Sequence, residues 1–364
     1  MGQFSKLAHI FMTDTLSHLE ANGRKFRATV TVIALTALGL VFLQTDASVM
    51  DLAEVGEGYT AAMTVIAAFL LLARVTLDLV VGMVRDRWGT PKGTPVYKAV
   101  FARVKWRDIV TALFALALTS TSFTGYKTLQ ISSGGYDWDA VFIAWDRALF
   151  FGQDPWLLTH DWFPTANATR IIDHFYHAAF LPMVIGFLLC VALQDRPALR
   201  YTYMTCYLAG FVIVGMLMAS SLSSAGPVYD GHIFGDGQIF GPLIDRLAAH
   251  QAEMPQIGAV RYQAYLLRAH DANSIRFGSG ISAMPSMHIV LVLIWAFAAW
   301  HIHKALGIIM TAYAALIWLG SVHLGWHYFV DGLVSLAVML VVWRMVGQWY
   351  GLFDPARQVI RATT

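Results

Sequence analysis

Apolar residues are grouped along the chain into eight stretches of about 17 to 25 residues, separated by more polar segments. An α-helix needs about 20 apolar residues to cross a bilayer core near 30 Å thick. The pattern therefore predicts an all-α fold: a polytopic integral membrane helical bundle of about eight transmembrane helices. The predicted spans are residues 28–44, 61–84, 109–130, 170–194, 201–222, 287–303, 306–323 and 327–348.

The segment 1–27 carries basic and apolar residues at helical spacing, which is typical of an N-terminal interfacial helix. Basic residues also predict the orientation of the spans, because cytoplasmic loops retain Lys and Arg. With the N-terminus inside, 17 of the 25 Lys and Arg residues fall in cytoplasmic segments and 7 in the opposite ones. Both termini are therefore expected to be cytoplasmic.

Composition agrees with a membrane protein and narrows its partners. Hydrophobic residues make up 57% of the chain and charged residues 13%, and the mean hydropathy is +0.56. The net charge of +2 argues against nucleic-acid binding. Cys190 and Cys206 lie inside apolar runs, so neither a disulfide nor a zinc site is expected. The expected partners are membrane lipids, with no cofactor and no metal.

Two histidines mark the starts of the sixth and eighth spans, and Pro285 suits the first helical turn beside His288. His288 and His327 are 39 residues apart, about two helical crossings of the bilayer, so both are expected at one membrane face. Each lies near a positive helix N-terminus, which favours phosphate. Asp331, one turn after His327, can accept its other ring N–H. The pattern predicts a nucleophilic His327, oriented by Asp331, with His288 as proton donor.

These residues also resemble a known family. The stretches Met284-Pro285-Ser286-Met287-His288 and His327-Tyr328-Phe329-Val330-Asp331 are similar to the second and third motifs of the type 2 phosphatidic acid phosphatase superfamily. The likeness is greatest to its inositolphosphotransferase branch, which includes inositol phosphorylceramide synthases, and it covers about 170–345. Gly226-Pro227-Val228-Tyr229 resembles that branch too, as does the looser pattern Asp146-x3-Phe150-Phe151-Gly152-x-Asp154-Pro155. The resemblance implies a phosphohistidine at His327 and protonation of the departing alcohol by His288.

The resemblance suggests a division of the chain. Residues 1–168 hold the interfacial helix, three spans and an outer segment, 131–168, whose tryptophans suit a membrane surface. Residues 169–348 form the phosphatidic acid phosphatase-like catalytic core, and 349–364 a cytoplasmic tail. Within the core, the long glycine-rich stretch 223–286 is typical of a lid over a site.

The groups that would bind the phosphate depart from those of the better-known lipid phosphatases. Their Lys-x6-Arg-Pro motif is missing here, and Gly320-Ser321 stands where a Ser-Arg pair would precede the last histidine. Arg276 is the first candidate for the missing charge, with Arg246, Arg261 and Arg268 weaker ones. Neutral donors and a further imidazole complete the predicted phosphate site: Gly278, Gly280, Ser286 and His323.

A second polar set lies at the outer start of the fourth span. Asp173 and His177 are one helical turn apart, on the face expected to bear the catalytic histidines, and could bind an acceptor alcohol or a metal. No third ligand has metalloenzyme spacing, which favours the alcohol. The predicted acceptor or lipid contacts are Tyr229, His174, Tyr176 and His177.

The sequence thus predicts a metal-independent lipid headgroup phosphotransferase with its active site on the extracytoplasmic (periplasmic or lumenal) face. A lipid or polyprenyl phosphate phosphatase is the alternative within the same class. Two alternatives belong to other functional classes: a haem-binding membrane protein that uses histidine pairs, and a transporter that uses Arg74 and Asp78.

Overall fold

A computed structural model describes residues 2–87, 106–131, 135–180, 182–184, 196–235 and 239–354. These residues are helical, with no strand among them, which confirms the predicted all-α class. Within the described ranges, five helical segments are long and apolar enough to cross a membrane, and Met287–Ile302 is a shorter apolar helix. The five are Glu20–Gln44, Arg107–Ile131, Pro197–Ser221, Lys304–His323 and Phe329–Trp349.

The N-terminal third contains two long helices, α1 (Gly2–Gln44) and α2 (Val49–Arg87). The expected interfacial helix and first span are continuous in α1, since no proline interrupts the helix between them. The predicted second span lies within α2, but the side chains of Arg74 and Asp78 are outside the described part. Helix α3 (Trp106–Tyr126) packs on both and continues as a π-helical turn, Lys127–Ile131.

The centre of the molecule is a bundle of four helices. These are α7 (Pro197–Gly210, extended by a π-helical stretch, Phe211–Met218), α10 (Met287–Ile302), α11 (Lys304–His323) and α12 (Phe329–Trp349). Helix α10 pairs with α11 as an antiparallel hairpin and also packs on α12 and α7. Ten of its sixteen residues are buried, with Trp295 fully enclosed. An apolar helix with no polar face suits this central position.

Shorter helices collect where α11 ends and α12 begins. Helices α4 (Asp139–Leu149), α5 (Pro155–Trp162) and α6 (Ala166–Asp173) contact α12 or α11 at that end, and α6 continues into a π-helical turn, His174–Ala178. The predicted lid contains α8 (Gly241–Glu253) and α9 (Ala259–Asp271). Most of the predicted fourth span, 185–194, lies outside the described residues.

Candidate active site

The His327–Asp331 pair lies at the start of α12. The Nδ1 atom of His327 is 3.0 Å from Oδ2 of Asp331 and 2.8 Å from the carbonyl oxygen of Ala283. Both neighbours accept hydrogen bonds, so Nδ1 carries the proton and Nε2 presents its lone pair. Asp331 is fully buried. The hydrogen bond expected from the four-residue spacing is therefore present, and it fixes the tautomer that a nucleophilic Nε2 requires.

Ser286 connects this pair to the start of α10. Its hydroxyl is the N-cap of that helix, accepting from the backbone N–H of Ile289, and it lies 3.1 Å from Nε2 of His327. With Nδ1 protonated, the Ser286 hydroxyl donates to Nε2. The hydroxyl thus holds the position opposite Nε2 that a phosphorus atom would approach.

His288 follows in the first turn of α10 and is held by aromatic rings. It stacks on Tyr176 at 4.6 Å between ring centroids and lies 4.6 Å from the ring of Phe180. The helical hairpin of α10 and α11 runs away from His288 and returns before His327. Both histidines border one cavity, as the spacing of two helical crossings predicts.

This cavity has a volume of about 840 Å³, enough for a ligand of drug size. The apolar lining comes from the long helices, with Phe123, Gly215 and Met287, and also from the lid, with Leu266 and Ile281. The polar and aromatic lining includes Lys127, Tyr176, His177, Tyr229, Arg261, Tyr262, Tyr265, Gly278, Gly280, Ser282, His288, Trp326 and His327.

Three of the five predicted phosphate-binding residues line the cavity or contact His327. Gly278 and Gly280 line it, and Ser286 contacts His327. Arg276 is exposed, its Nε donates to the Ser274 hydroxyl at 3.2 Å, and it is not part of the lining. The backbone turns at Gly278 and Gly280, both of which have a positive φ. Because of these turns, the two glycines line the cavity and Arg276 does not.

His323 lies away from the cavity, contrary to the expectation that it meets phosphate charge. Its ring is fully buried, with Nε2 2.9 Å from the Thr169 hydroxyl, and it stacks on His160 at 3.8 Å. Helix α11 ends at His323 and the chain turns through Gly325 at φ +74°. The four-residue spacing to His327 therefore does not place the two rings on one face.

His323 instead belongs to a separate cluster of buried histidines. The Thr169 hydroxyl lies 2.9 Å from Nε2 of His323 and 2.9 Å from Nδ1 of His250, and the His160 Nε2 atom is 2.9 Å from the carbonyl oxygen of His323. Burial lowers the pKa of His160 to about 4. That ring is neutral at pH 7 and adds no charge to a phosphate site.

The positive charges at the cavity come from Lys127 and Arg261. Lys127 lies on the π-helical turn after α3, where its backbone packs against Gly280: a Cβ there would come within 2.9 Å of the Lys127 carbonyl carbon. Arg261 is in the first turn of α9. Sequence reasoning ranked Arg261 below Arg276 and did not single out Lys127. The position of Lys127 at the polar end of a span was the available signal.

The predicted Asp173–His177 pair is present beside the cavity. Nδ1 of His177 is 2.8 Å from Oδ1 of Asp173, whose carboxylate also accepts the N–H groups of Gly258 and Ala259 at the start of α9. His177 lines the cavity and stacks on Tyr262 at 4.9 Å.

The other predicted acceptor contacts separate into two groups. Tyr176 and Tyr229 line the cavity, whereas His174 is exposed and does not. Among the described residues, no group of three or more His, Cys, Asp or Glu side chains is arranged to hold a metal ion.

Comparison with protein families gives one match, to the PAP2 superfamily over residues 140–345. The chain belongs to the PAP2 superfamily. No curated protein and no solved structure matches it significantly. Membership supports a lipid-related phosphatase or phosphotransferase type of function. The PAP2 match contains His288 and His327, and it begins at α4, so it also includes the short helices α4, α5 and α6.

Proposed function

We propose that the protein is a membrane-embedded lipid headgroup phosphotransferase that works through a phosphohistidine at His327. The observation that carries this proposal is the pairing of Nδ1 of His327 with Asp331 at a cavity that both His327 and His288 line. An imidazole held in this way is a nucleophile with a fixed tautomer. The nucleophile and the proton donor are both side chains, and the reaction needs no metal.

In the first half-reaction the Nε2 lone pair of His327 attacks phosphorus, and the P–O bond to the leaving alcohol breaks. Protonated His288 gives its proton to the departing oxygen, while Asp331 stabilises the positive imidazole. Lys127, Arg261 and the glycine-rich turn of the lid balance the phosphate charge.

In the second half-reaction an acceptor alcohol attacks the phosphohistidine. The P–N bond breaks, its electron pair returns to Nε2, and His288 takes the proton from the attacking oxygen, which restores the starting state. His177 binds the acceptor through its Nε2, because its Nδ1 is engaged by Asp173. Tyr176 and Trp326 also line the cavity; the Tyr176 hydroxyl and the Trp326 indole N–H are buried and have no hydrogen-bond partner in the described part of the chain.

The lining of the cavity supports a lipid substrate, and the charge pattern supports an extracytoplasmic site. The apolar lining residues Phe123, Gly215 and Met287 suit hydrocarbon chains of the donor. The excess of Lys and Arg in alternate loops favours the extracytoplasmic face for this end of the bundle. The likeness of Gly226–Tyr229 to the inositolphosphotransferase branch supports transfer to an alcohol rather than to water.

The decisive experiment supplies purified protein with a panel of phospholipids and phosphorylated polyprenols, with and without alcohol acceptors. Products and an acid-labile phosphoprotein are identified by mass spectrometry. We expect a covalent phosphoryl group on His327 and its loss in His327→Ala. The matched control is His232→Ala, because His232 also pairs with an aspartate, Asp271, but at the exposed surface. Equal turnover in the two variants would exclude His327 as the nucleophile.

The variant His177→Ala distinguishes transfer to an alcohol from hydrolysis. We expect slower transfer to the alcohol with the same rate of phosphohistidine formation, because His177 acts after the first alcohol leaves. If release of phosphate or phosphomonoester is the sole reaction with every acceptor, and His177→Ala does not change it, the protein is a lipid or polyprenyl phosphate phosphatase.

A further inference from the structure

Helix α4 carries two buried carboxylates on the side that faces the active-site loops. Asp139 and Asp146 are seven residues apart, two helical turns, and share that side with Phe142. Asp139 is 4% exposed and Asp146 3%, whereas Trp145 on the other side is 46% exposed. A buried carboxylate is costly unless it accepts several hydrogen bonds. Each of these two accepts its bonds from segments next to His327.

Asp146 caps helix α12 from outside that helix. Its two oxygens accept the backbone N–H groups of Phe329 at 2.8 Å and Val330 at 2.9 Å, the first two residues of α12. The residue in the N-cap position, Tyr328, makes no side-chain cap of its own. The carboxylate satisfies two free donors and lies at the positive end of the helix dipole. Asp146 therefore sets the position of the turn that holds His327.

Asp139 joins two loops through four donors. It accepts the Ser224 hydroxyl and the N–H groups of Ala225 and Gly226, each at 2.9 Å, and the Tyr328 hydroxyl at 2.8 Å. Tyr328 adjoins His327.

The first of these loops leads to His327 by a second route. The carbonyl of Ser224 accepts the N–H of Ala283 at 2.8 Å, and the carbonyl of Ala283 accepts from His327 Nδ1. The Asp139 carboxylate is thus connected to His327 by two routes: through Tyr328, which follows it in the chain, and through Ala283, whose carbonyl accepts from its ring.

We propose that Asp139 and Asp146 are positioning residues for His327, and that α4 is the template on which the catalytic loops are assembled. This inference rests on the proposed function for its kinetic consequences. All the oxygen atoms of the two carboxylates are engaged by protein donors, so they act through the loops and not on the substrate. Neither residue lines the large cavity.

The test uses Asp146→Asn and Asp139→Asn, in which one acceptor oxygen becomes an NH2 group that faces a backbone donor. The control is Asp137→Asn, an exposed aspartate two residues before Asp139. Transfer kinetics should show kcat lower by about 10- to 100-fold and KM within about threefold, the range for displaced or unsupported catalytic groups. Asp137→Asn should match the unaltered protein. Equal kcat values in all the proteins, or a change confined to KM, would overturn the inference.

A gentler variant keeps the test informative if an asparagine variant does not fold. Tyr328→Phe removes a single donor to Asp139 and keeps the ring, so the protein should melt within a few degrees of the unaltered one. We expect kcat about 3- to 10-fold lower. A fall in melting temperature without a fall in kcat would assign these carboxylates to stability alone.

Two further measurements distinguish positioning from general loosening. Asp146→Asn should reduce kcat by a smaller factor when Asp331→Asn is already present than when it is made alone, because both changes act on the orientation of the same imidazole. If the two changes acted independently, the kcat of the double variant would fall by the product of the two single factors.

The second measurement does not depend on turnover. The rate at which diethyl pyrocarbonate modifies His327, read by peptide mass spectrometry, should change at least threefold in Asp146→Asn, while that of His288 stays constant. A changed rate in a protein that transfers no phosphoryl group would refute the proposed function but not the positioning. Unchanged rates would refute the positioning.

Discussion

Replacement of Gly226 by alanine should disable the site while leaving the helical bundle intact. Gly226 adopts φ +91° and ψ 164°, a conformation that is essentially restricted to glycine. Its Cβ would lie 2.8 Å from the backbone carbonyl oxygen of Trp326 and 2.9 Å from the Cβ of Ala283. Trp326 precedes His327, and the Ala283 carbonyl accepts from the His327 ring. The added methyl group therefore pushes on both supports of the nucleophile.

The contacts set the size of the effect. An ordinary contact begins at 3.4 Å, so the Trp326 carbonyl must move by about 0.6 Å. Catalytic groups tolerate about 0.5 Å, and a displacement of about 1 Å costs about 10²-fold in rate. We expect kcat to fall by about 10- to 100-fold. The strained backbone and the overpacking should together lower stability by about 2–4 kcal/mol.

The assay compares Gly226→Ala with Gly235→Ala by the rate of phosphohistidine formation and by thermal unfolding in detergent. Gly235 also has a positive φ, +82°, but a Cβ there would meet no atom of the described residues within 4 Å. The Gly235→Ala variant therefore reports the cost of a positive φ without the contact. If both variants lose the same activity, or if Gly226→Ala keeps full activity in a folded protein, the contact with Trp326 does not control His327.

Three further predictions test the nucleophile, the histidine cluster and the topology. Asp331→Asn should slow phosphohistidine formation by about 10²–10⁴-fold, as for other orienting carboxylates, and stopped-flow release of the first alcohol measures it. Because burial holds the pKa of His160 at about 4, the unfolded chain binds that proton more readily between pH 4 and 6.5. Stability should be full above about pH 6.5 and fall by about 1–3 kcal/mol toward pH 4, and His160→Gln should flatten this dependence in pH-resolved melting. A cysteine at Gly231 should react with an impermeant thiol reagent outside intact cells, and one at Lys92, outside the described residues, should not; the reverse labelling would invert the orientation.

The parts of the site that local sequence rules could predict are those that lie within one helix turn or at a helix start. Asp331 follows His327 by four residues inside one helical start, so the periodicity of the helix alone brings the two side chains together. The position of His288 at the same end of the bundle as His327 followed from the length of chain between them, which equals about two helical crossings of the bilayer. Asp173 and His177 obey the same four-residue rule.

The four-residue rule does not extend to His323, although His323 and His327 are also four residues apart. The helix ends at His323 and Gly325 turns the chain between the two rings. The direction of the His323 ring depends on the geometry of this turn, which the sequence alone does not give. Arg276 was misplaced for a related reason, since the two glycines after it decide which part of the lid faces the cavity.

Contacts between residues far apart in the chain left no local pattern to read. Lys127 reaches the cavity because Gly280 packs against its backbone, an approach that spans about 150 residues of sequence. The burial of the two aspartates of α4 is even harder to predict from the sequence. An amphipathic helix with an exposed tryptophan predicts a position at the membrane surface. The carboxylates on its opposite side would ordinarily face water. Their burial is stabilised by backbone N–H groups that lie 86 to 184 residues away along the chain. The two carboxylates of α4 and these distant N–H groups therefore stabilise each other, and the backbone turn that they hold contains His327.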